Sequence, residues 1–120
     1  MNRALTTALG LLALLFSSGC FPTVDASCEE LADQQCEACF SCASDAFSGG
    51  ELCDLATAAT EESCRTDLQD ICSQQASTLS QPSVQQEECS DSLDKDTCSD
   101  LLGRTALNQS FTTYQCAYLL

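Results

Sequence analysis

Residues 28–72 read CEELADQQCEACFSCASDAFSGGELCDLATAATEESCRTDLQDIC, and the placing of the cysteines about one glycine pair suggests the fold. Cys28 and Cys72 each stand 22 positions from Gly50, and Cys36 and Cys64 each stand 14 positions from it. In two antiparallel helices joined by a turn, facing residues lie at equal distances from the turn. Two rungs of an α-hairpin follow, Cys28–Cys72 and Cys36–Cys64. At roughly 100° per residue, Cys28, Cys36, Cys39 and Cys42 fall near 0°, 80°, 20° and −40° on one helix face. Cys53, Cys64, Leu68, Ile71 and Cys72 share a face of the second helix. Cys53 is expected to close a third rung with Cys42, Cys39 being the alternative. The others, Cys39, Cys89, Cys98 and Cys116, pair in an order that spacing leaves open.

The chain around this stretch reads as helix. The first helix is expected over 27–47, capped by Ser27 or Asp25 with Glu29 and Glu30 in its first turn. Ser48-Gly49-Gly50 breaks it, and a second helix runs over 51–77. Pro82 stops that helix, and Ser83 with Gln86 forms a capping box for a third. A break is expected between Asp94 and Thr97, since Cys89 and Cys98 would point to opposite sides of a straight helix. Leu101-Leu102-Gly103 suggests a last helical turn with a glycine C-cap. Phe111, Tyr114, Cys116 and Tyr118 would pack the tail. The expected fold is all-α: a small disulfide-stapled helical hairpin with one or two further short helices, in a single domain over 27–120. In topology alone it resembles the twin C-x9-C hairpins of the mitochondrial intermembrane space, and no function is carried over from them.

Composition explains why such a fold needs sulfur. The chain has 120 residues, no Trp, 6% aromatics and 11 cysteines. A domain this small buries only a modest apolar core, and cross-links are the usual remedy. That cysteine density marks an exported chain rather than one kept in a reducing cytosol. Acids number 18 against 4 bases. Such a surface repels phosphate backbones, which argues against a nucleic-acid partner.

The first residues carry an export signal. Arg3 precedes an apolar run from Ala8 to Phe16, too short to span a bilayer, and Ser17-Ser18-Gly19 follows. Residues 1–19 read as a signal peptide. Ser18-Gly19-Cys20 resembles the lipobox of bacterial lipoproteins, and the resemblance implies lipid on Cys20. Phe21 after that cysteine implies the outer membrane, with residues 20–26 as a short tether. Parity agrees: lipid on Cys20 leaves ten cysteines, enough for five bridges, and no odd thiol. The alternative is a secreted or periplasmic soluble protein with Cys20 free or paired.

No catalytic apparatus is legible. The chain has no histidine, which removes serine–histidine and cysteine–histidine catalysis and histidine-bearing zinc sites. Cys36-x2-Cys39-x2-Cys42 resembles the start of a ferredoxin cluster motif, but Ala46 and Phe47 stand where its fourth cysteine and proline belong. Thiolates lining a helical bundle would suit Cu(I), and the chain faintly resembles exported copper-storage bundles, so a Cu(I)-binding bundle is the alternative function. Asp94, Asp96 and Asp100 have calcium-loop spacing without the glycine such a loop needs. The sequence thus leads to an exported, non-enzymatic lipoprotein acting as a structural or binding module at the cell envelope. No cofactor or metal is expected, and its partners would be the membrane, through the lipid, and a protein that the residues do not specify.

Overall fold

A computed structural model describes residues 23–55 and 57–120. The fold is all-helical: α1 (Val24–Ser41), α2 (Gly49–Leu52), α3 (Glu61–Ala76), α4 (Pro82–Lys95), α5 (Cys98–Ala106) and a 3-10 turn at Tyr114–Cys116. The expected signal peptide and Cys20 lie outside the described residues. Helix α1 packs mainly on α3, antiparallel to it, and then on α4. The tail from residue 111 folds back onto α4.

Helix α1 starts earlier than expected. Thr23, not Ser27 or Asp25, is its N-cap, and its hydroxyl accepts from the Ala26 amide at 3.1 Å. Residues 24–26 of the expected tether therefore belong to α1. The helix also stops earlier, with Cys42 as C-cap rather than at residue 47. Beyond it Ser44 bonds its own neighbourhood, its hydroxyl accepting from Ala46 N while its amide donates to Phe47 O. Such local bonds compete with helix.

The expected second helix, 51–77, is two helices. Ser48 and Glu51 form a reciprocal capping box that starts α2 on the glycine pair itself. Asp54 then takes a left-handed conformation with φ 54°, and Leu55 and Ala58 turn the chain inward. Thr60 and Ser63 cap the start of α3 in the same reciprocal way.

Pro82 occupies the first turn of α4, where its missing N–H costs nothing. The expected Ser83–Gln86 box is absent, because Gln86 is buried and used elsewhere. The break between α4 and α5 falls at Asp96–Thr97, and Thr97 with Asp100 caps α5. Gly103 lies inside α5 and does not cap it. The C-cap is Leu107, and Asn108 after it is left-handed at φ 54°. Its amide bonds Thr105 O, and the Gln109 amide bonds Arg104 O, the two bonds of a Schellman motif.

The interior is built from small groups. The buried apolar residues comprise eight cysteines, five leucines and three alanines, with no aromatic among them. One cluster fills the middle, around Cys36, Cys64, Leu52, Leu68 and Leu101. A second fills the far end of the hairpin, around Cys28, Cys72, Leu31, Cys89 and Leu119. Tyr114 and Tyr118, expected to pack, are 79% and 58% exposed. They occupy the outer side of the tail, which is held from its inner side by Cys116 and Leu119.

Candidate functional site

Five bridges hold the described chain, and their positions differ in one telling way. Cys28–Cys72 and Cys36–Cys64 join α1 to α3, with Cα separations of 5.5 and 5.9 Å. Cys39–Cys53 ties α1 to the end of α2, and Cys89–Cys116 ties α4 to the tail. The expected Cys42–Cys53 bond is not formed: Cys53 takes Cys39, and Cys42 takes Cys98 at a Cα separation of 5.3 Å. The helical wheel supplies the reason. Cys39 sits toward α2 and α3, whereas Cys42, roughly 60° further round, looks to the flank covered by α4 and α5. Eight of the bridged cysteines are fully buried, while Cys42 is half-buried and Cys98 exposed.

That exposed bridge borders an open cleft of about 370 Å³. Gln34, Glu37, Ala38 and Ser41 of α1 form one wall, and Leu93, Asp94, Asp96 and Thr97 at the α4–α5 junction form the other. Polar bonds bridge the two sides. Ser90 Oγ donates to Gln34 Oε1 at 3.1 Å, and Gln34 Nε2 donates to Asp94 Oδ1 at 3.0 Å. Asp96 is held from behind by Arg104, which donates to both carboxylate oxygens at 2.8 and 2.7 Å and also to Phe111 O at 3.1 Å. The hydrogen bonds to Asp96 push the guanidinium pKa above the usual arginine value. Asp100 accepts from the Thr97 hydroxyl and amide, and these bonds hold its carboxyl below the usual range. The three aspartates with calcium-loop spacing thus have three separate partners: Gln34, Arg104 and Thr97.

A second constellation lies in the central cluster. The sulfurs of Cys36, Cys53 and Cys64 lie within 4.8 Å of one another, because the Cys36–Cys64 and Cys39–Cys53 bridges pack side by side. As thiolates these three would make a soft-metal ligand set. As bridges they fill space.

Sequence reading missed the buried amides. Gln35 is fully buried; its Oε1 accepts from Thr112 Oγ1 at 2.8 Å, and its Nε2 points at Cys39 Sγ. Gln86 Nε2 donates to Val24 O at 3.0 Å and approaches Cys28 Sγ at 3.3 Å. A signal existed: Gln35 falls at roughly −20° on the wheel, squarely on the cysteine face.

The outer surface is acidic. Arg65 pairs with Asp33 and Glu61, and Arg104 with Asp96; among the described residues Lys95 is in no ion pair. No described helix is long and apolar enough to cross a membrane. No protein-family model, curated protein or solved structure matches this chain.

Proposed function

We propose that this chain is an exported, non-enzymatic lipoprotein, anchored through Cys20 to the outer membrane and presenting a rigid acidic helical module for protein binding. The observation that carries the reading is the closure of all ten cysteines from Cys28 onward into five bridges. Five bridges imply an oxidising compartment, and Cys20 is the eleventh cysteine. The charge balance supports a binding role: an acid-rich shell steers basic partners and repels nucleic acid. Cross-links also resist the proteases and variable conditions met outside the cell.

Labelling cells with a palmitate analogue tests the anchor. The native protein should take the label and partition with membranes, and the Cys20→Ser variant should lose both. No label on the native protein contradicts the anchor and leaves secretion as the reading. Cross-linking of the oxidised domain in envelope extract, repeated at high salt, tests binding; an acid-led contact should weaken as salt rises.

A second reading, Cu(I) storage, would draw on the sulfurs of Cys36, Cys53 and Cys64, which lie within 4.8 Å of one another. Intact mass after alkylation separates the two. A five-bridge protein gains no label until reduced, whereas metal-held thiols label once a chelator is added.

A further inference from the structure

The Cys42–Cys98 bridge joins the ends of two helices that carry opposite partial charge. Cys42 is the C-cap of α1, where unpaired carbonyls make the local field negative. Cys98 is the first residue of α5, a helix of nine residues, where free amides make it positive. It is the bridge with an exposed cysteine, and both its residues line the cleft. We propose that Cys42–Cys98 is a thiol–disulfide exchange site, opened by an uncharged or cationic thiol that enters the cleft and attacks Cys42, so that Cys98 departs as thiolate.

The direction follows from the leaving group, since exchange is faster when the departing thiolate is the better stabilised one. A helix N-terminus lowers a cysteine pKa; a helix C-terminus does the reverse. Glu37, Asp94 and Asp96 line the cleft, Arg104 pairs with Asp96, and Asp100 stands in the first turn of α5. Asp96 and Asp100 are thus engaged, by Arg104 and Thr97, while Glu37 and Asp94 line the cleft beside both sulfurs, which leaves the direction to the helix ends. The cleft acids do select the nucleophile: an acid-walled cleft disfavours an anionic thiol and admits a neutral or cationic one.

The step balances as a two-electron exchange. The incoming thiolate forms a bond to Cys42 Sγ, the Cys42–Cys98 bond breaks, and its electron pair leaves on Cys98 Sγ, which takes a proton from water. A second thiol, in a dithiol reductant, then attacks the mixed disulfide. That frees Cys42 as a thiol and leaves the reductant oxidised. With the bridge open, α5 remains held by buried Leu101 and by the Arg104–Asp96 pair. The hairpin itself does not depend on this link.

The native oxidised domain is treated briefly with cysteamine, quenched with acid, alkylated with N-ethylmaleimide and mapped by peptide mass. The expected first product carries cysteamine on Cys42 and maleimide on Cys98, with the other four bridges intact. The reverse assignment, or earlier opening of any other bridge, overturns the proposal. Salt dependence tests the part played by the cleft acids. Raising salt from about 10 mM to about 1 M shortens the screening length from about 30 Å to about 3 Å. Opening by cysteamine should then slow several-fold and opening by 2-mercaptoethanesulfonate should quicken. Equal salt response of the two thiols overturns the selection by the cleft acids.

Discussion

A methyl group built on Gly50 would sit 2.5 Å from the Ala58 carbonyl oxygen and 2.7 Å from that of Leu55. Both obstacles are backbone, so neither can swing aside. Gly50→Ala should therefore cost about 1–3 kcal/mol, as overpacking of a core does. A methyl group on Gly49 would come within 2.5 Å of the half-buried Phe40 ring, a side chain rather than backbone, so Gly49→Ala should cost less than Gly50→Ala. Thermal melts of the two oxidised variants give the comparison. The Gln35–Thr112 bond joins α1 to the tail inside the core. Removing one partner leaves the other buried and unsatisfied, a loss of about 1–3 kcal/mol. Replacing both by Gln35→Leu with Thr112→Val should cost less than the two single losses together, which a double-mutant cycle in denaturant measures. Asp100 works with pH. Its folded pKa is lowered by Thr97, so its contribution is present above the ordinary aspartate value near 4 and is lost as pH falls through the lowered value. An acid titration of helicity should show Asp100→Asn less sensitive to pH below about 4 than the parent; identical profiles would remove Asp100 from the cap.

At the scale of elements, the hairpin was legible because cysteine spacing and helical period report the same facing positions. Two things were not legible. Helix ends were set by whichever side chain reached a free backbone group, and several qualified: Thr23 outcompeted Ser27, Asn108 replaced Gly103, and the Thr60–Ser63 box restarted a helix expected to be continuous. The third rung depended on which flank Cys42 faced, and that flank is built by α4 and α5, far along the chain. The cleft followed the same rule. Its walls come from segments about sixty residues apart, so no local pattern announced it, although the turn at Asp94–Thr97 did. Arg104 holds the α4–α5 corner through Asp96, whose side chain is 8% exposed. Arg104→Met should leave that carboxylate nearly buried without its partner and cost about 2–3 kcal/mol, somewhat under the range for a fully buried pair. Chemical denaturation measures it, and a change below about 0.5 kcal/mol, the ordinary range for surface positions, would mean the pair is ornamental.

Across the whole molecule, half of the buried apolar residues are cysteines and none is aromatic. The closed loops are long: the 44-residue separation of Cys28–Cys72 corresponds to about 4 kcal/mol of lost unfolded-chain entropy in the loop model. Nested bridges add less, because the chain is already confined. Full reduction should therefore unfold the domain, seen as loss of far-ultraviolet helical signal at neutral pH without denaturant. The most direct check is a peptide map of freshly isolated, non-reduced protein with free thiols blocked at lysis. Joined peptides should show Cys28 with Cys72, Cys36 with Cys64, Cys39 with Cys53, Cys42 with Cys98 and Cys89 with Cys116. Blocked thiols throughout the domain, or Cys28 joined to any residue but Cys72, would mean that sulfur cross-links between neighbouring helices are not what holds this chain together.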